Sequence, residues 1–360
     1  MTLPKTMRAM VTMGHGDMDQ MVWHEDWPRP DPAPGEVLIR VRACGLNNTD
    51  VNTRSGWYSK AVTAPTTGGA YETVHDEDPT WGAAPISFPR IQGADVCGEI
   101  AAVGDGVDAA RIGERVITDN WLRDPDAPEN INKTGYLGSE RDGGFAEYTT
   151  IPAQNALAVH SDLSDAELAT FSCSYSTAEG MLTRAVVGAA DTVLVTGASG
   201  GVGGALVQLA KRRGARVIAM ASEAKHAAVA AFGPDRILPR APENLRAALG
   251  DAKVTVVADV VGSPYWPTLI DILERGGRYT CSGAIAGPMV ELDLRTFYLR
   301  DLTFIGSTVI APEVTQNLVR YIEAGAVRPA LAATYPLRDL HAAQAAFIAK
   351  DHTGNIVVTP

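Results

Sequence analysis

Cysteine is scarce in this chain: Cys44, Cys97, Cys173 and Cys281 are the four among 360 residues. They stand 53, 76 and 108 positions apart (97 − 44, 173 − 97, 281 − 173), with no CxxC pair. That spacing excludes a dense disulfide framework and predicts reduced thiols and a cytoplasmic address. Long apolar runs are missing as well. No window approaches the roughly 18 apolar residues of a membrane span, and MTLPKTMRAMVTMGHGDMDQ at the start contains no signal-peptide core. Positive charge is short, with 31 Lys and Arg against 42 Asp and Glu, a net of −11. An acidic chain is repelled at long range by nucleic acid and by anionic membrane, so neither is expected as a partner. With 46% hydrophobic and 20% charged residues the composition excludes disorder as the main state, and the length suits two domains.

Two textures divide the sequence. Up to about residue 155, short apolar runs alternate with turn clusters: EVLIRVRACG at 36–45, GEIAAVG at 98–104, ERVIT at 114–118 and FAEYTTI at 145–151. These read as strands. Stretches 59–90 and 119–142 are rich in Pro, Gly, Asp, Asn and Thr, lack periodic apolar residues and read as inserted loops, a common place for lids and interface arms. From 160 onward strands and helices alternate. A helical run at 164–185 leads to strand 192–196, a glycine-rich turn, and a helix ending at Gly214. Strand 215–220, helix AKHAAVAAF, strand 254–261, helix PYWPTLIDILERG and strands 277–283 and 302–308 follow. A helix at 312–325 and a strand at 355–359 close the chain. Apolar strands alternating with helices predict an α/β class with a doubly wound parallel sheet covered on both faces.

The strongest motif is VLVTGASGGVGGALVQLAK at 193–211. It leaves a buried strand and opens a helix whose Ala205, Leu206 and Leu209 stripe can face a sheet, the context of a dinucleotide-binding turn. Ala198 stands where the first glycine of the fingerprint would be, followed by Ser199, Gly200, Gly201, Val202 and Gly203. Gly200 permits close approach of a pyrophosphate, Gly203 permits close helix packing, and the helix N-terminus offers N–H donors. At the end of the next strand an acid would bind the ribose hydroxyls of NAD. Ala221 occupies that place, with Ser222 and Lys225 beyond it, a hydroxyl and a cation suited to a 2′-phosphate. The expected cofactor is therefore NADPH rather than NADH, with Glu223 as the competing acid. The same string resembles a short-chain dehydrogenase opening. That family uses a Tyr-x-x-x-Lys pair, which none of the ten tyrosines here forms.

CGLNNTDVNTRSGWY (44–58), PRIQGADVCGEIAAVG (89–104), GERV (113–116), DGGFAEY (142–148), the glycine turn and GNIVV (354–358) together resemble the medium-chain dehydrogenase/reductase superfamily. Their form is closer to its quinone oxidoreductase-like and enoyl reductase-like branches than to its zinc alcohol dehydrogenases. The resemblance implies a GroES-like substrate domain from 1–160 and 311–360 around a Rossmann domain at 161–310. It also bears on metal. Zinc members carry Cys, His and Cys where this chain has Asn47, Ala94 and Cys173, and one ligand of three cannot hold zinc. The four cysteines of a structural zinc lobe are missing from 119–142. No metal is expected.

Without a Lewis acid, reduction of a polarised C=C bond asks less of the protein than alcohol oxidation: donors for an enolate oxygen and a proton for the α-carbon. By resemblance to mitochondrial-type enoyl reductases, Tyr58 is the expected catalytic hydroxyl, with Asn48 and Arg54 as pocket donors and Asp50 bracing the loop. The resemblance also places the nicotinamide end near Thr177, Val260, Val261, Gly262, Gly283, Ala284, Ile285, Gly306 and Ser307. The expected substrate is an α,β-unsaturated carbonyl (enone or enoyl) or a quinone. Alternatives are an NAD(P)-dependent alcohol or aldehyde dehydrogenase of the same superfamily and a non-catalytic nucleotide-binding redox sensor. The 59–90 stretch, with Tyr71, His75, Trp81, Phe88 and the acids Glu72, Asp76, Glu77 and Asp78, could cap the cleft or pack on a partner subunit. The apolar strand LTFIGST (302–308) predicts an exposed sheet edge and a homodimer.

Overall fold

The computed structural model describes residues 3–66 and 85–360. Tyr71, Glu72, His75, Asp76, Glu77, Asp78 and Trp81 of the 59–90 stretch lie outside the described residues. Six parallel strands form one sheet in the order Arg236–Pro239, Arg216–Ala221, Thr192–Val195, Val254–Asp259, Leu273–Cys281, Thr303–Gly306. Strand order reverses between Thr192–Val195 and Val254–Asp259, which opens a crevice at their carboxyl ends. The middles of the central strands are apolar and buried, Val193, Leu194 and Val195 beside Val256, Val257 and Ala258, as a sheet covered on both faces requires. Helix Gly201–Arg212 lays Ala205, Leu206 and Leu209 into that core, and Gly214 follows it with a φ of 81°.

The second sheet has seven strands. Leu331–Pro336, Asn355–Thr359, Glu36–Gly45, Asp95–Val103, Arg115–Thr118 and Ala156–Ala158 run in that order, and Tyr148–Pro152 also pairs with Glu36–Gly45. It is mostly antiparallel, and Asn355–Thr359 brings the end of the chain back onto Glu36–Gly45. A separate ribbon, Thr6–Thr12 with Met21–Pro28, packs its Ala9, Met10 and Val11 into the core of this sheet. The α/β class with a second, β-rich unit is thus the architecture observed.

Several elements differ from the sequence reading. The run at 164–185 is two helices, Asp165–Leu168 and Ser174–Arg184. The first starts on a capping box between Ser164 and Glu167. The break falls where the Cys173 N–H is given to the Asp95 carboxylate instead of a helical carbonyl. Strand Arg236–Pro239 went unread because four residues ending in proline show no periodicity. Strand Leu331–Pro336 and helix Leu340–Ala349 were also missed, the helix because LHAAQAAFIA has little polar contrast around its circumference. Stretch 119–142 is not bare loop: Trp121–Leu122 pairs with Gly135–Tyr136, and Trp121 and Tyr136 are buried. Among the described residues no helix is long and apolar enough to cross a membrane.

Candidate functional site

The glycine turn sits at the crevice. Gly197 takes the left-handed conformation (φ 56°), so the sharp turn is made one residue before Ala198. Ala198 is free to be buried, its N–H bonded to the Met220 carbonyl at 3.0 Å. A Cβ on Gly203 would collide with the Gly197 carbonyl, which explains the close helix packing. Gly200 is different. It is exposed, and a Cβ there would meet nothing nearer than the Gly197 oxygen at 3.6 Å, so this side of the turn is open to a ligand. Gly201 is pressed against Ser174 and Asn355, while the Ser199 carbonyl accepts the Gly354 N–H at 2.8 Å. The C-terminal tail therefore crosses the turn and links the two sheets. Val202 is half-buried in the first helical turn.

The strand ends on the other side of the crevice are organised by a residue the sequence reading passed over, Asp259. Its carboxylate is completely buried and accepts Thr196 Oγ1 (2.5 Å), Val261 N (2.8 Å), Gly262 N (3.1 Å) and Tyr279 Oη (2.7 Å). These bonds fix Val260 and Val261, whose carbonyls accept Ile285 N and Ala286 N. Gly283, Ala284 and Ile285 are half-buried beside them, and Ser307 N bonds Cys281 O at 2.9 Å. The Ser307 hydroxyl is buried with no partner among the described residues. Thr177 is half-buried in a stretch of helix Ser174–Arg184 that is otherwise buried up to Leu182. The structure thus gathers the residues expected at the nicotinamide end. It also brings segment 59–66 against them, through Thr66 N to Ile285 O at 3.0 Å.

At the end of strand Arg216–Ala221, Ser222 is half-buried and Glu223 exposed. Lys225 Nζ donates to the tail carbonyls of Lys350 and His352, the latter at 2.8 Å. Burial lowers the Lys225 ammonium pKa, with Arg240 adding to the effect and Asp351 opposing it.

On the facing side of the crevice Asn47, Asp50, Asp95 and Cys173 join in a polar network. Asn47 caps helix Asn48–Arg54; its N–H bonds Asp50 Oδ2 at 2.7 Å and its Nδ2 bonds Asp95 Oδ2 at 2.8 Å. Burial pushes both Asp50 and Asp95 up to about 7, and the nearby Asp95 charge contributes to the rise at Asp50. The Cys173 thiol is pushed well up by burial and by Asp95, while hydrogen bonds from Tyr136 and Thr177 oppose the rise. Tyr136 stacks edge-on to Trp121 (4.7 Å) and takes a hydrogen bond from Asn120 Nδ2 at 3.4 Å. Tyr58 is half-buried beside Trp57, and its hydroxyl is paired with the Asn52 side chain. Burial raises its pKa, with Cys173 and Asp50 adding to the effect. Tyr58, Cys173, Tyr136 and the two carboxyls therefore belong to one cluster.

Arg54 and Asn48 are placed otherwise than expected. Arg54 is fully buried and spent on structure: its guanidinium bonds Gly16 O at 2.7 Å and Gln344 Oε1 at 3.1 Å. It presents no surface to a substrate, because the helix turns it away from the crevice into the protein interior. Asn48 is half-buried and accepts Lys350 Nζ at 2.9 Å, so it serves the tail. The residues do not suit a catalytic zinc. Ala94 offers no donor and the Asn47 amide is bonded to Asp95, which leaves Cys173 as the one candidate ligand of the three positions. Among the described residues no group of three His, Cys, Asp or Glu side chains could hold a metal ion.

A doubly wound sheet with a glycine turn at its switch point, faced by a second β-rich unit bearing polar side chains, defines a dinucleotide-dependent oxidoreductase. Comparison with known proteins narrows the class. Residues 33–161 match the alcohol dehydrogenase GroES-like domain and residues 201–324 the zinc-binding dehydrogenase family. The acryloyl-coenzyme A reductase of Metallosphaera sedula is 28% identical, over 98% of this chain and 100% of that protein. The quinone oxidoreductase of Rattus norvegicus is 27% identical, over 92% and 91%. A crystal structure from Sinorhizobium meliloti 1021, provisionally described as an alcohol dehydrogenase, is 47% identical with a TM-score of 0.90, covering 99% of this chain and 98% of its own. A cobalt- and zinc-bound thermostable alcohol dehydrogenase from Pyrobaculum aerophilum is 31% identical with a TM-score of 0.82, covering 98% and 99%. The chain belongs to the medium-chain dehydrogenase/reductase superfamily and is an NAD(P)H-dependent oxidoreductase.

Proposed function

We propose that the protein is a zinc-independent, NADPH-dependent reductase of α,β-unsaturated carbonyl compounds or quinones. The observation that carries the reading is the substrate-side cluster: neutral donors, Tyr58 and Tyr136 with the Cys173 thiol, where metal-dependent relatives need three ligands. Ser199–Gly203 and the strand ends at Val260–Gly262, Gly283–Ile285 and Ser307 would hold the dinucleotide, with Ser222 and the cations near it at the adenosine end. When bound, the dinucleotide supplies a hydride. The protein must then stabilise the charge that develops on the substrate oxygen and protonate the α-carbon. A neutral hydroxyl can donate a hydrogen bond to that oxygen, and on passing its proton to the α-carbon it would become a tyrosinate that takes a proton back from solvent; we assign both roles to Tyr58. Quinone reduction needs the same donors at a second oxygen.

The test is oxidation of NADPH and NADH over enones, enoyl thioesters, quinones and aldehydes, with metal analysis of the same sample. Turnover of enones or quinones with NADPH and sub-stoichiometric zinc is expected. Stoichiometric zinc with alcohol or aldehyde turnover would overturn the reading in favour of a metal-dependent dehydrogenase, which the Pyrobaculum aerophilum relative makes the second candidate. Coenzyme binding without turnover would instead point to a redox sensor.

The same reading includes a homodimer. Thr303–Gly306 is the last strand of its sheet, and Met289, Val290, Leu294, Tyr298 and Leu299 expose apolar surface around it. An unpaired edge with an apolar rim is suited to pairing with its own copy. Light scattering should return twice the 38.1 kDa chain mass; a monomer at micromolar concentration would refute it.

A further inference from the structure

Two cations flank the end of the second parallel strand, and the structure uses them differently. Lys225 is committed: two of its three donor positions go to the carbonyls of Lys350 and His352, so its stem spans from the parallel-sheet unit to the tail of the other unit. Arg240 is not. Ala221 pairs in register with Pro239, so Arg240 leaves the neighbouring strand level with Ser222. Its side chain is exposed and makes no hydrogen bond or ion pair with the described residues. All five guanidinium donors stay available on the side of the crevice where the adenosine ribose of a dinucleotide would lie.

The surroundings favour an anion here. Lys225, Lys350 and His352 meet in the tail contact, with Asp351 the one acid acting on both Lys225 and His352. Lys350 is pushed down to about 7 by burial and by Lys225, and His352 is lowered by burial and by both lysines. The His352 Nδ1 atom is buried without a partner among the described residues. Glu223, exposed at the start of its turn, would oppose a phosphate but suit a ribose hydroxyl.

We propose that Arg240 selects the 2′-phosphorylated dinucleotide, while Lys225 is a strut that holds the tail across the glycine turn. The inference rests on the NADPH reading and assigns its discriminating contact to a residue that neither motif nor resemblance singled out. A planar guanidinium meets a phosphate dianion through two parallel hydrogen bonds, which a ribose 2′-hydroxyl cannot reproduce.

The experiment measures Kd for NADPH and NADH by fluorescence titration of wild type, Arg240→Ala, Arg240→Lys and Lys225→Met, with Tm for each. Arg240→Ala should cut the NADPH-over-NADH preference about 10- to 100-fold, the worth of a charge-assisted contact, without lowering Tm. Arg240→Lys should restore part of it. Lys225→Met should weaken both coenzymes in similar proportion and lower Tm. Loss of preference in Lys225→Met but not in Arg240→Ala would overturn the assignment and leave the NADPH reading standing. Equal weakening of both coenzymes by Arg240→Ala would overturn it too. A wild type that prefers NADH would remove the NADPH reading itself, and this inference with it.

Discussion

Tyr58→Phe is expected to lower kcat for enone reduction about 100- to 1000-fold while leaving the coenzyme Kd unchanged. The substitution removes one oxygen and keeps the ring against Trp57, so the loop that follows helix Asn48–Arg54 should hold its shape. On the proposed reading Tyr58 meets the substrate, whereas the groups that would hold the dinucleotide belong to the glycine turn and the parallel strand ends. The loss should therefore fall on kcat more than on KM, as for a group whose interaction strengthens in the transition state. Burial holds the hydroxyl protonated far above neutral pH, so it imposes no limb of its own on the profile. The Asp50–Asp95 pair does. Both carboxyls are raised to about 7, so the pair retains a proton below that pH and loses it above. The added negative charge opposes an enolate forming nearby, so wild-type kcat should fall on the alkaline side of neutrality. Stopped-flow hydride transfer across pH 5.5–8.5 (about one and a half units either side of the pair) reads both effects. A loss under threefold in Tyr58→Phe would move the donor role to Tyr136.

The residues that were legible in the sequence are those whose job is local. Gly203 declares itself because a tight helix contact is a backbone demand met within a dozen residues, and Gly200 is left exposed and open where a phosphate cradle would lie. Even there, the left-handed position proved to be Gly197, since the fingerprint shows how many glycines are present and not which one turns the chain. Arg54 shows the limit. On a seven-residue helix beside Tyr58 it reads as a pocket cation, yet one helical turn decides between crevice and core, and the core supplied Gly16 and Gln344 as partners. Gln344 lies on a helix 290 positions away, beyond the reach of any local pattern. Asp259 and Asp95 did leave a signal. Each is a single acid in or beside an apolar run, VTVVADVV and GADVCG, and a buried carboxylate must find several donors. The donors it finds are the backbone groups that shape the site. Lys350 left less, because its burial depends on the tail folding back over the turn.

Two glycines three residues apart should fail in opposite ways, and the contrast tests whether the turn is a ligand cradle or only a fold element. Gly203→Ala places a methyl group against the Gly197 carbonyl and the Ala198 backbone, atoms that cannot swing aside. The helix must move off the strand, at a cost of about 2–3 kcal/mol, and Tm should drop by several degrees with or without coenzyme. Gly200→Ala meets ordinary contact only, at 3.6 Å, and φ there is −85°, which alanine adopts without strain. Its Tm without coenzyme should match wild type. The new methyl group nonetheless occupies the open face of the turn, beside the N–H groups that begin helix Gly201–Arg212. A pyrophosphate needs that approach, so coenzyme affinity should fall at least about tenfold, the equivalent of one lost hydrogen bond to a charged group. Thermal melts with and without NADPH separate the two. Normal coenzyme binding by Gly200→Ala would mean that Gly200 faces solvent and not a ligand, and instability of both variants would mean that both glycines are fold elements.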